Sequence, residues 1–425
     1  MNKLPEGWTV EPFSRVASYM TGRTPARANP AYWANGARQV PWVSISDMEP
    51  YGTIVDTAES VSTLAFEKVF RERIVPAGTL IMSFKLTIGR VATLGIPACH
   101  NEAIISIFPR EGIDQRYLGY FLSQIDYTDH QDRQIKGNTL NKSKLEKIQV
   151  VLPPSTEQTC IADVLDKCRL GISTERAAEK AEVELKHAVM RELFTRGLRG
   201  KPQKDTEIGS VPESWSVVEL GSLCLVTDQV DLTSEGDRII HYIDVSSVSR
   251  DSLKIETTNE CLLKNAPGRA RKRVRSGDVI FATIRPTLLR VARIDASLDN
   301  QVCSTAFCVL RTTDSELLGK YVFYTVQRPE FLELLARIET GASYPAVTDR
   351  QVKAQPIPLP PPDEQREIVA ILDAIDRKIE LHRKKKQVLE ELFKALLHKL
   401  MTGEIRVSDL NLSALEPRRV VPAAP

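Results

Sequence analysis

The strongest constraint on this chain is a proline-led opening that occurs twice. Leu152-Pro153-Pro154-Ser155-Thr156-Glu157-Gln158 and Leu359-Pro360-Pro361-Pro362-Asp363-Glu364-Gln365 each lead into a long polar and apolar segment. Gln158 and Gln365, Asp166 and Asp373, Leu193 and Leu400, and Thr195 and Thr402 all stand 207 residues apart, so one unit has been duplicated. The prolines bar a helix before them, Thr156 or Asp363 can cap the first turn, and Glu157 or Glu364 suits the positive end of the helix dipole. Gly197 and Gly403, following basic residues, supply stop signals. In between, Leu165, Cys168 and Ile172 with Val189 and Leu193 recur at steps of three and four, as do Leu372, Ile375, Ile379, Leu389, Phe393, Leu396 and Leu400. That spacing puts one apolar stripe on each of two helices. Each is predicted to run about 37 residues, or roughly 55 Å at about 1.5 Å per residue.

The segments before the helices repeat as well. Leu4-Pro5-Glu6-Gly7-Trp8 matches Val211-Pro212-Glu213-Ser214-Trp215 at the same offset, and Gly78-Thr79-Leu80-Ile81-Met82 matches Gly277-Asp278-Val279-Ile280-Phe281 at 199. The drift implies two copies of one scaffold with different loops. Short runs rich in β-branched and aromatic residues, Leu80 to Met82, Ile104 to Phe108, Val279 to Phe281 and Ala306 to Leu310, read as strands. Tyr117 to Gln124 and Tyr321 to Val326 read as short helices. The fold class expected is therefore α+β, with globular domains over 1–153 and 211–360 and long helices over 154–197 and 361–403. An exposed connector is expected over 198–210, and a tail with mobile last residues over 404–425.

The chemistry open to such a chain is narrowed by what it lacks. No apolar run approaches the roughly 20 residues that span a bilayer, and the first residues lack a signal-peptide core, so a cytoplasmic protein without a membrane partner is expected. Seven cysteines without a Cys-x-x-Cys pair argue against disulfides or structural zinc, and Cys168 reads as a core residue. No two of the 21 glycines form Gly-x-Gly, and none begins a Gly-x-x-x-x-Gly-Lys, so both common nucleotide loops are absent. Asn29-Pro30-Ala31-Tyr32 is one residue from a base-holding methyltransferase loop but reads as a turn. Glu184-Leu185-Lys186 reads as part of a solvated helix face. The six histidines are scattered, and no catalytic, cofactor-binding or metal-binding residue is assigned.

What is present is cationic. A formal charge of +2 permits local basic patches, and Lys264 to Arg275 packs six cations into twelve residues. Arg271, Lys272 and Arg273 within it can neutralise phosphates, or belong to a solvated loop. The loop Thr283 to Arg290 offers Arg285, Thr287 and Arg290; its counterpart Phe84 to Arg90 offers Lys85, Thr87 and Arg90. Further on, Lys136-Gly137-Asn138-Thr139 answers to Thr340-Gly341-Ala342-Ser343-Tyr344-Pro345, adding Asn138, Thr139, Ser343 and Tyr344. Loops of this kind can present Arg or Lys to guanine edges and Thr to a thymine methyl or a phosphate.

Taken together, the two Leu-Pro-Pro...Glu-Gln openings, the Pro-Glu-x-Trp starts, Ile284-Arg285-Pro286-Thr287 with Cys303-Ser304-Thr305, and Gly341 to Val347 resemble the specificity subunit of type I restriction-modification enzymes over nearly the whole chain. The resemblance implies two target-recognition domains, each reading one half of a split site in double-stranded DNA, held apart by two long antiparallel helices packed as a coiled coil. It also implies two methyltransferase subunits carrying S-adenosylmethionine and ATP-dependent restriction subunits with ATP and Mg, so that catalysis belongs to the partners. A DNA-binding adaptor outside restriction and a free-standing adenine methyltransferase are the alternatives.

Antiparallel packing of duplicated helices suggests a register. Leu165 is expected opposite Leu400, Ile172 opposite Phe393, Leu193 opposite Leu372 and Glu179 opposite Lys386, with Ile379 on the same stripe. Glu175, Glu179 and Glu182 would then face His382 and Lys386, or these polar positions simply face solvent.

Overall fold

The computed structural model describes residues 4–33, 39–85, 87–127, 131–134, 137–313 and 315–410. Leu86, Lys136 and the tail beyond Leu410 lie outside the described residues. The chain forms two units, residues 1–176 with 384–425, and residues 177–383. The division falls inside the long helices, so each helix gives one stretch to each unit.

The helices run Ser155–Arg196, 42 residues, and Pro362–Thr402, 41 residues. Both start directly behind or at the prolines. Thr156 and Asp363 therefore sit inside the first turn and do not cap it; a proline at that point costs nothing, since the first N–H groups lack helical partners anyway. Gly197 and Gly403 end the helices in left-handed conformation, at φ 63° and 73°. A β-carbon on Gly403 would come within 2.5 Å of Pro5, and one on Gly197 within 3.0 Å of Pro212. Each helix thus stops against the proline of a Pro-Glu-x-Trp start.

In the first unit a five-stranded sheet is ordered Ala17–Thr21, Ile104–Pro109, Leu80–Ser83, Val91–Leu94, Thr53–Ile54. Beside it lies a three-stranded sheet of Glu59–Ser62, Gln39–Val43 and Cys99–His100. Helix Gln115–Gln124, capped by Asp114, buries Tyr117, Leu118 and Leu122 in a core shared with Leu80, Met82, Ile105 and Ile107. In the second unit Val279–Ala282 pairs with Val291–Arg293 and Phe307–Leu310, while Asn259–Leu262, Ile239–Ile243, Val302–Ser304 and Ala270–Arg273 form a four-stranded sheet. The connector is more ordered than expected. Gln203–Thr206 and Gly209–Pro212 pair as a hairpin, and Ile208 is buried.

The repeated openings are latches. The indole of Trp8 donates to Glu157 at 3.1 Å, and that of Trp215 donates to Glu364 at 3.0 Å. Arg406 grips the same Glu157 with two donors at 3.0 and 2.6 Å and holds its carboxyl below the usual range. Glu364 receives Lys201 at 2.7 Å. Gln158 accepts from the Asp114 N–H and donates to the Pro153 carbonyl, both at 2.9 Å; Gln365 does the same with Leu318 and Pro360, again at 2.9 Å. Both glutamines are buried, so each loop-to-helix junction has its backbone groups satisfied by one side chain.

In the first unit, Leu165, Cys168 and Ile172 share a core with Phe393, Leu396, Leu397 and Leu400; in the second, Met190, Leu193 and Phe194 share one with Ile368 and Leu372, and Ile379 is buried too. Acid–base pairs run along the polar stretch. Glu179 pairs with Arg383 at 2.7 Å, three residues from Lys386, while Glu175 meets Lys385 at 3.7 Å and Glu182 meets Lys378 at 2.6 Å. Partner numbers fall as the first helix advances, so the segments within each unit run antiparallel. Gly171 admits Leu389, whose nearest methyl would lie 3.2 Å from a β-carbon there. The three glutamates are mostly covered, at 15 to 17% side-chain exposure, rather than facing solvent. Lys186, expected on a solvated face, is likewise buried. Its ammonium lies 2.8 Å from Asp376, 3.3 Å from the Gln327 amide oxygen and 5.2 Å from the Tyr324 ring centre.

Candidate nucleic-acid interface

In the second unit the two loops singled out by the sequence meet. Ile284 bridges Ala346, the Arg285 N–H donates to the Pro345 carbonyl at 2.6 Å, and Val347 donates to Thr283 at 2.9 Å. Gly341, at φ 104°, makes the turn; a β-carbon there would press to 2.9 Å from the Tyr344 carbonyl. The resulting tip exposes Arg285, Thr287, Ser343 and Tyr344, the last at 70%. Arg285 stacks its guanidinium 4.8 Å from the Tyr344 ring centre and donates to the Ser343 carbonyl at 3.1 Å. A planar donor fork resting on an exposed ring leaves its remaining N–H groups free to meet a base edge.

Arg90 and Arg290 each reach back to the scaffold. Arg90 donates to the carbonyls of Ile45 and Met48, both at 3.3 Å; Arg290 donates to those of Val245, at 3.2 Å, and Val248. Each clamps a single-turn 3-10 helix, Ile45–Asp47 or Val245–Ser247, through its Nη1. Their matched position in the repeat reflects a shared scaffold role.

In the first unit Lys85 is half-buried, with its ammonium 5.5 Å from the Phe84 ring centre, and Thr87 is exposed. The Leu140 N–H donates to the Phe84 carbonyl at 3.0 Å, bringing strand Gly137–Leu140 to the Lys85 loop much as Pro345 is brought to Arg285. Asn138 and Thr139 lie on that strand, opposite Arg133 and Asp132; their side chains are outside the described residues.

The basic run 264–275 is largely neutralised from within. Lys272 binds Asp349 and the Phe307 carbonyl, Arg273 binds Glu235 and Asn300, Lys264 lies 2.6 Å from Asp237, and Arg275 lies 2.9 Å from Asp228. Lys272 and Arg273 sit on strand Ala270–Arg273 with side chains only 14% and 17% exposed, so the phosphate role read from the sequence is withdrawn for this pair. Arg271 is half-buried, and its guanidinium donates to the Ala270 carbonyl at 3.0 Å.

Residues 5–185 and 212–391 each match the family described as the type I restriction modification DNA specificity domain. The chain belongs to this family. Similar over nearly their whole length are two specificity subunits of type I restriction enzymes from Methanocaldococcus jannaschii. The MjaIX subunit is 24% identical over 442 residues and the MjaVIII subunit 25% over 432, each covering 96% of this chain; the alignment takes in 95% of the latter. The crystal structure of the S subunit of a type I restriction-modification system from M. genitalium shares the fold, with TM-score 0.58 at 11% identity over 94% of this chain and 97% of that one. The two specificity-domain matches correspond to the two copies of the latch and of the paired loops.

One group of cations in the first specificity domain escaped the sequence reading. Arg23, Arg71, Arg73 and Lys142 line a groove that also includes His100. Their only signal was the alignment of Arg73 with Lys272 at the 199-residue offset, and the first copy lacks the density of charge that marks 264–275. His100 is buried and held neutral, its pKa lowered to about 4 by burial. Among the described residues no cluster of three or more His, Cys, Asp or Glu could hold a metal, and no helix is long and apolar enough to cross a membrane.

Proposed function

We propose that this chain is the DNA-reading subunit of a type I restriction-modification enzyme, each unit reading one half of a split site. The observation that carries the reading is the exposed tip of Arg285, Thr287, Ser343 and Tyr344, which offers a donor fork, hydroxyls and a stacking ring on a rigid two-loop base. Such groups suit a purine edge in the major groove, where Arg meets guanine O6 and N7. Lys85 and Thr87 are the counterparts in the first unit. Two methyltransferase subunits holding S-adenosylmethionine and restriction subunits using ATP and Mg would supply the chemistry, in the cytoplasm.

The test is to map methylated adenines in a genome carrying this chain with its methyltransferase subunit, for the native protein and for Arg285→Ala. The substitution should relax one half of the methylated sequence and leave the other intact, at a cost of about 1–3 kcal/mol in binding. An unchanged methylated sequence together with unchanged affinity would remove Arg285 from the interface.

A further inference from the structure

We propose that the two units grip DNA by different means: the first through an open cationic groove for backbone phosphates, the second through its reading tip with its own basic strand internally neutralised. The inference rests on the DNA-binding function proposed above and assigns a site within it.

The groove lies where the end of strand Ala17–Thr21 passes the turn that follows Phe66–Phe70. Arg71 and Glu72 are both left-handed, at φ 55° and 57°, and these two successive residues reverse the chain so that Arg71 and Arg73 both reach the groove wall. Arg23 and Lys142 complete it, and all four cations are exposed. Among the described residues no Asp or Glu lines the groove. Arg23 donates to the Val69 carbonyl at 2.7 Å, and among the described residues none of the four is held in an ion pair. Glu102, in the neighbouring recess beside Lys85, is engaged by the Thr24 hydroxyl.

The same scaffold position in the second unit is built in the opposite sense. At the 199-residue offset that aligns Gly78 with Gly277, Arg73 falls on Lys272 and Ile74 on Arg273. Lys272 is taken by Asp349 and Arg273 by Glu235. A phosphate approaching there would have to displace built partners and leave carboxylates unpaired, whereas one entering the first groove meets open guanidinium forks, which hold phosphate oxygens in pairs.

The experiment uses the full chain and two duplexes, one carrying the methylated site and one scrambled, with affinity measured across a salt series. Each neutralised phosphate contributes about 0.9 to the slope of log affinity against log salt. Arg71→Gln with Arg73→Gln should weaken binding to both duplexes alike and make the slope shallower by about 2. Arg71→Lys with Arg73→Lys should keep most of the slope, and Lys272→Gln with Arg273→Gln should leave it near the native value. An unchanged slope in the Arg71 and Arg73 glutamine chain overturns the proposal, as does an equal loss from both glutamine pairs. Native protein that binds neither duplex at any salt overturns the DNA-reading function itself, an outcome distinct from these.

Discussion

Arg285 carries a β-carbon yet sits at φ 49°, and Leu289, at the other end of the same turn, sits at φ 50°. Left-handed backbone in residues other than glycine costs about 1–3 kcal/mol each and persists where surrounding contacts over-determine it. Here those contacts are the Pro345 carbonyl and the Tyr344 ring, which together fix the arginine before any DNA arrives. His100 is buried, with Nε2 2.6 Å from the Ser106 hydroxyl. Its pKa falls from 6.5 to about 4 on burial, so the unfolded chain binds a proton more readily than the folded one between those values. Stability is therefore flat above about pH 6.5 and declines as pH falls toward 4. At about 1.36 kcal/mol per unit, the first unit should lose about 2 kcal/mol between pH 7 and pH 5 through this group alone. Urea unfolding of His100→Gln at the two pH values checks it, because the variant should lack that share of the decline.

At the scale of elements, the latch at each helix start explains why Glu-Gln follows the prolines. Gln365 satisfies the Leu318 N–H and the carbonyls of Pro360 and Glu316 with one amide, at 2.9, 2.9 and 2.6 Å. Gln365→Ala leaves all three without that partner, the Pro360 carbonyl among them buried, and should cost the second unit about 1–3 kcal/mol. A loss below about 0.5 kcal/mol in chemical unfolding would mean that water or a rearranged loop replaces the amide. The sequence displayed the repeat, the strands and the helices because those rest on local period and on residues recurring at fixed offsets. It could not display the latch, whose partners lie 47 and 149 residues away. Nor could it separate Arg285 from Arg290, since the carbonyls that occupy Arg290 belong to a turn over 40 residues upstream. The basic run misled for the same reason: its acids, Asp228, Glu235 and Asp349, reach it only through the fold.

For the whole chain, duplication raises the question of what one half would do by itself. The first core is closed by Phe393, Leu396, Leu397, Leu400 and Met401, whose counterparts 207 residues earlier are Lys186, Val189, Met190, Leu193 and Phe194. Four of these five are apolar, so a fragment of residues 1–200 can complete its first unit by borrowing the second part of the long helix from another copy. In the register first expected, Glu179 would meet its own duplicate, and Glu179→Lys would strengthen self-association. The observed pairing with Arg383 translates to Glu179 against Arg176, an attraction that Glu179→Lys would remove. The conflict moves to Lys186. In the intact chain it faces Asp376, whose counterpart is Arg169, and the place it would take in a borrowed core is that of Phe393, 5.4 Å from the ring of Tyr51 and 6.0 Å from that of Tyr120. A lysine set beside Arg169 among tyrosines opposes self-pairing by like charge and by desolvation. The fragment should therefore self-associate weakly, and Lys186→Phe should tighten it at least tenfold, about 1.4 kcal/mol, while Glu179→Lys weakens it. Sedimentation equilibrium on the three fragments decides the matter: tightening by Glu179→Lys with no response to Lys186→Phe would mean that self-pairing uses the unshifted register.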